Sequence, residues 1–220
     1  MTDNAPWQGE PNNWAKFWSL DPTVTFLNHG AFGAVPLPVL KKLPRWREQL
    51  ERQPLRFRPL TISHGANSRR TDKSRFQLEF DWTGTSDPTA YLCIPEAIQF
   101  LGSLLPGGWH ELMENNRAKA LLARDLLCEA LGVLPPCPAE MIGAIAVVPL
   151  PEPLSMYEQG EQAREWPGLQ DILFERFNIE VPIIPWSTPF KQMVRISAQL
   201  YNTPEQYNYL AEALLQLLSD

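Results

Sequence analysis

Cysteine, histidine and excess positive charge are all scarce in this sequence. Its 220 residues hold three cysteines, Cys93, Cys128 and Cys137, and no CxxC pair. So small and scattered a set makes no disulfide framework or thiolate metal cluster, and reads as free thiols in a reducing cytosol. The three histidines, His29, His64 and His110, fall in no HExxH-type spacing, so no metal site is expected. Lys and Arg number 19 against 25 Asp and Glu, a net charge of −6. That balance argues against nucleic acid as a partner, because such binders carry a basic face. No apolar run is long enough to span a bilayer, and the polar start "MTDNAPWQGEPNNW" lacks a signal peptide's charged-then-apolar plan. A cytoplasmic protein without a membrane partner is expected. There is no internal repeat and no low-complexity tract.

What is abundant is proline and tryptophan. The 22 prolines are about twice average usage, and there are 8 tryptophans beside them. Proline ends helices, so short helices and many turns are expected. "WAKFWSLD" (14–21) reads as a short aromatic helix or arm. Val24, Phe26 and Leu27 suggest an extended piece, after which Asn28, Gly30 and Gly33 mark a turn where backbone approaches something closely. Pro36 and Pro38 suit a helix start, and "VLKKLPRWREQLERQ" reads as that helix, broken near Leu43 by Pro44. Arg69, Arg70, Lys73 and Arg75 cluster in a polar stretch, as a solvated loop or an anion site.

Further on, "RFQLEF" alternates and reads as a strand. Asp87 suits an N-cap before a helix in "SDPTAYLC", and Pro95 starts a second helix. "HELMENNRAKALLARDLLCEALG" is the strongest helix, with Trp109, Met113, Ala120, Leu127 and Leu131 on one face and Gly132 as its stop. "MIGAIAVVPL" reads as a buried strand, "LQDILFERFN" as a helix, "IEVPIIPW" as a strand shortened by Pro182 and Pro185, and "QMVRISAQL" as another strand. A capping box, Thr203 to Gln206, opens the last helix, whose stripe is Tyr207, Leu210, Leu214, Leu217 and Leu218. This order predicts an α+β fold, a small sheet with helices on one face.

Four stretches carry a resemblance. "TFLNHGAFGAVPLPVL" resembles the N-terminal signature of the class V aminotransferase family. "EFDWTGTSDPTAYLCIPEAIQFL", "GGWHELMENNRAKAL" and "VRISAQLYNTPEQYNYL" resemble its isopenicillin N epimerase-like branch. The resemblance implies the C-terminal small domain of a fold-type I enzyme, with a small, mainly antiparallel sheet. It spans residues 59–220, preceded by an N-terminal arm and helix over 1–58. It also implies a departure. The family's long central segment, which builds the large-domain sheet and carries the Schiff-base lysine, is missing where "EQLERQPLRFR" meets "PLTISHGANS", near Arg58–Pro59. The junction reads as a genuine internal deletion or as a gene-model error.

The implied cofactor is pyridoxal phosphate. None of Lys16, Lys41, Lys42, Lys73, Lys119 or Lys191 matches the family's Schiff-base position, and each reads as helix surface or polar loop. No catalytic residue is therefore assigned. By resemblance, Gly84 and Thr85 form a turn that reaches a neighbouring subunit's cofactor phosphate; from the residues alone they read first as a turn feeding Asp87. Arg195 is similar to the arginine that binds a substrate α-carboxylate, or is a strand arginine at the surface. Asn28 and His29 are similar to the loop lining the substrate pocket. Trp82 stacks or packs, and His64 gains no role. Three functions follow as expectations. One is a pseudoenzyme without turnover of its own. Another is a homodimer, or a heterodimer with a full-length homologue. The third is an active epimerase, transaminase or lyase on an amino acid with a rebuilt lysine site.

Overall fold

The computed structural model describes residues 9, 12–30, 33–51, 68–74, 77–78, 89–151, 168–186 and 188–219. The chain divides into two compact units, Met1–Leu37 with Leu101–Asp220, and Pro38–Phe100. Helices and small sheets are mixed, the α+β class expected.

The larger unit is built on two small sheets. β2 (Ile145–Pro149), β5 (Thr188–Ser197) and β4 (Ile183–Trp186) form an antiparallel sheet in the order β2-β5-β4. β1 (Thr25–Phe26) and β3 (Ile179–Glu180) pair in parallel. The expected single strand "IEVPIIPW" is thus two strands. Pro182 separates them, and the pairing of β4 with β5 is irregular between Pro185 and Trp186, where proline has no N–H to give the ladder. β2 is half-buried and not buried throughout. Ala146 and Val148 face the core while Ile145 is exposed, the alternation of a sheet covered on one side.

The helix α5 (Gly108–Leu131) lies on that sheet and packs against α7 (Pro204–Ser219). Its buried face is Leu112, Asn116, Ala120, Ala123, Leu127 and Leu131. Trp109 and Met113, assigned to this face from spacing, are exposed; the stripe enters the core one position earlier, at Leu112. Gly132 ends the helix at φ 64°, in the left-handed region where glycine carries no Cβ penalty. α6 (Leu169–Phe177) closes on Asn178, also left-handed, and feeds β3 directly. The Gln206 side chain accepts from the Thr203 N–H at 3.1 Å, the backward half of the expected capping box. One continuous core joins Leu27, Leu127, Val148, Leu173, Ile179, Ile196, Leu210 and Leu214. Each such side chain contributes about 1.5–3 kcal/mol over an exposed position.

In the smaller unit, the helix expected after Pro36 is α1 (Leu37–Leu40) followed by α2 (Leu43–Glu51). Residues 41–42 break it just before Pro44. Next come α3 (Thr89–Leu92) and α4 (Ile94–Gly102), which crosses the unit boundary. The strand expected over "RFQLEF" is corrected where it is described, because residues 77–78 are helical. The Leu78 N–H donates to the Ser74 carbonyl at 3.0 Å, and Ser74 and Gln77 exchange side-chain bonds that close the turn. Arg69, Arg70 and Lys73 are exposed, and Arg70 pairs with Asp72.

Candidate functional site

The site begins with alternation. In "VRISAQLY" the apolar residues are Val194, Ile196, Ala198 and Leu200, and all four are buried. Of the residues between them, Arg195 and Ser197 fall on the other side of β5 by its period of two; the strand ends at Ser197, and Gln199 and Tyr201 follow in the segment that turns away from it. All four meet the segment 27–30. That segment is held from both sides: the Leu27 N–H donates to the Glu180 carbonyl, and the Ser197 N–H donates to the Leu27 carbonyl, both at 3.0 Å. The close approach expected at the glycines is real. A Cβ on Gly30 would lie 2.6 Å from Ser197 Oγ and 2.7 Å from Ile145 Cδ1. One on Gly33 would collide with the His29 carbonyl.

Asn28 and Arg195, 167 positions apart, are joined directly. Arg195 Nη2 donates to Asn28 Oδ1 at 2.9 Å, and Asn28 Nδ2 donates to Glu180 Oε1 at 3.1 Å. Asn28 therefore serves as a rigid relay between a guanidinium and a carboxylate. Arg195 Nε is buried and has no acceptor among the described residues. Arg195 as a whole is only partly buried, and a guanidinium has five N–H donors in a planar fork, so beyond its bond to Asn28 it keeps donor capacity for a planar acceptor such as a carboxylate.

His29 lies beside this pair. Gln199 Oε1 accepts from the Leu200 N–H at 2.7 Å and from Asn116 Nδ2 at 3.2 Å, which fixes the amide. Gln199 Nε2 must then donate to His29 Nε2, 3.3 Å away. That assigns the ring proton to Nδ1, which donates to the Tyr201 hydroxyl oxygen at 2.9 Å. Burial holds the imidazole below its ordinary pKa, consistent with a neutral ring, and pushes the Tyr201 phenol up. Two neutral, mutually bonded groups position each other without exchanging charge.

Lys119, read from sequence as helix surface, is half-buried. Its ammonium donates to the Gln199 and Leu200 carbonyls at 3.2 and 2.8 Å. Burial pulls its pKa down to about 8. Neighbouring Asn12 donates to the same Leu200 carbonyl at 2.8 Å.

The described residues do not fit a complete pyridoxal phosphate cradle. The one carboxylate hydrogen-bonded into the cluster, Glu180, is engaged by Asn28, and the Lys119 amine is spent on two carbonyls. Gly84 and Thr85, expected at the phosphate, lie outside the described residues, as do Trp82, Asp87 and His64. Among the described residues no group of metal-ligating side chains gathers. Of the residues singled out from sequence, the fold brings Asn28, His29 and Arg195 together. Glu180, Gln199, Tyr201 and Lys119 were missed. Gln199 and Tyr201 lie beyond the end of β5, where strand alternation gives no signal, and nothing local marks Glu180 or Lys119.

No family model matches the chain. It is similar to "Probable L-cysteine desulfhydrase, chloroplastic" of Arabidopsis thaliana, 31% identical over 149 residues, covering 65% of this chain and 30% of that protein. It is likewise similar to isopenicillin N epimerase of Amycolatopsis lactamdurans, 32% identical, covering 67% of this chain and 33% of the relative. For isopenicillin N epimerase of Streptomyces clavuligerus the figures are 34% identity, 60% and 30%. The chain spans about a third of the length of the relatives it matches. It is a homologue of proteins named L-cysteine desulfhydrase and isopenicillin N epimerase, which bears out the resemblance read from the sequence.

Proposed function

We propose that the chain descends from class V aminotransferase-like, pyridoxal-phosphate-dependent enzymes, keeps the part of their site that holds a substrate carboxylate, and has no turnover of its own. In this reading residues 59–220 are the small domain of a fold-type I enzyme and residues 1–58 its N-terminal arm and helix. The large-domain sheet is largely absent beyond the junction at Arg58–Pro59. The observation that carries it is Arg195, a partly exposed guanidinium positioned by Asn28 with N–H donors to spare. Coverage of only a third of each relative supports the missing segment. The three free cysteines suit a reducing, cytoplasmic setting.

Calorimetric titration with small amino acids tests this. Saturable binding is expected, weakened about tenfold or more in Arg195→Met, the loss of one charge-assisted pair. Binding unchanged by that substitution would contradict the assignment. A second reading, association with a full-length relative, is favoured by the exposed Tyr91, Ile94 and Ile98 on α3 and α4. Light scattering of the chain, alone and with a full-length homologue, tests it. A complex is expected, and a monomer in both samples would rule that reading out.

A further inference from the structure

We infer a second small-molecule site, separate from the Arg195 cluster, in a cleft of about 450 Å³ between the aromatic arm and the turn that opens α7. A volume of this size lies in the range of small-molecule sites. Its apolar wall includes Trp18, Leu20, Val24 and the Tyr201 ring, and its polar wall Lys16 and Gln206. Tyr201 separates the two sites, its hydroxyl on His29 and its ring edge-on to Trp18 at 5.2 Å.

The wall offers several donors, of which Lys16 lies 5.3 Å over the Phe17 ring. Trp18 is 4% exposed, and its indole N–H has no acceptor among the described residues. An unsatisfied buried N–H carries a standing cost, which an acceptor supplied by a ligand would relieve. Both lone pairs of Gln206 Oε1 are taken, by the Thr203 N–H and the Asn202 amide, so Gln206 has only N–H donors left to offer. Lys16 adds an exposed ammonium. Among the described residues the one carboxylate on the wall is Asp21, which already accepts from the Thr23 N–H and hydroxyl through Oδ1, at 2.9 and 2.6 Å. Donors facing an aromatic and aliphatic surface select one class of ligand: a small organic carboxylate with an apolar body. The acid group goes to Lys16 and Trp18, and the body lies against Leu20, Val24 and Tyr201. Reaching the indole requires the wall to part slightly, so the indole proton itself is the signal to follow.

The test is a titration of the ¹⁵N-labelled chain with benzoate, following the eight tryptophan indole resonances, with that of Trp18 assigned from Trp18→Phe. Benzyl alcohol is the neutral control. The Trp18 signal is expected to shift saturably with benzoate. Affinity is expected to fall about tenfold in Lys16→Met, the loss of one charged partner, and to stay unchanged in Arg195→Met. Lys16 is exposed, so its replacement leaves the fold in place and keeps the test decisive even where Trp18→Phe lowers stability. The site is overturned if the Trp18 signal does not move. It is also overturned if benzyl alcohol binds as well as benzoate, or if Arg195→Met and not Lys16→Met abolishes the shift.

Discussion

α5 buries Leu112, Ala120, Ala123, Leu127 and Leu131, whereas α4, with Ile94, Ile98, Phe100 and Leu101, buries none of its residues. Both stretches form helices for the same local reasons: good helix formers, a glycine at each end of α5, and Pro95 in the first turn of α4. They differ in what covers them. α5 has a sheet on one side and α7 on the other, and its apolar face is a core. Within the smaller unit, α4 keeps Ile94 and Ile98 half exposed. Periodicity therefore tells where a helix forms, and the partner layer decides whether its apolar face stabilises anything.

The sharpest break in this comparison comes from truncation. Leu127→Ala, at 0% exposure, is expected to cost about 2–5 kcal/mol, and Ile98→Ala, at 53%, less than about 0.5 kcal/mol in the isolated chain. Urea denaturation of both variants checks this, and equal losses would erase the distinction. Next is Gly30→Ala, whose new methyl meets Ser197 Oγ and the Ile145 side chain; about 1–3 kcal/mol is expected by the same assay. Gly132→Ala has open space around it, so its cost is that of a left-handed backbone alone, about 1 kcal/mol.

The pH dependence gives a separate handle. The folded-state pKa of Lys119 is lowered to about 8 from 10.5, so between those values the unfolded chain binds more protons and stability rises with pH. Lys119→Met should flatten that rise. His29 is also depressed, so its contribution is complete above its ordinary value of 6.5 and declines as pH falls below it. His29→Gln should reduce the loss of stability on acidification, read from urea midpoints between pH 5 and 7.

Much of this was legible in advance. Gly132 ends a helix where it stands because it lacks a Cβ, and Pro44, lacking an N–H, sits in the first turn of α2 just after the break at residues 41–42. The alternation of "VRIS" sorts its residues to two sides of β5 before any partner is known. Asn28 and Arg195 were visible singly, but their bond spans 167 positions and belongs to the fold. Lys119 was misjudged because its burial depends on where the carbonyls of Gln199 and Leu200 come to rest. "RFQLEF" alternates over only six residues, and the bonds between Ser74 and Gln77 outweigh so short a pattern.

The central claim is a site that holds a carboxylate without capturing the family's cofactor. Pyridoxal phosphate titration of the purified chain, with borohydride reduction and peptide mapping, tests it most directly. The account predicts no lysine modified specifically and in stoichiometric amount. A single lysine trapped at one equivalent, Lys119 above all, would show that the site had been rebuilt and would contradict it.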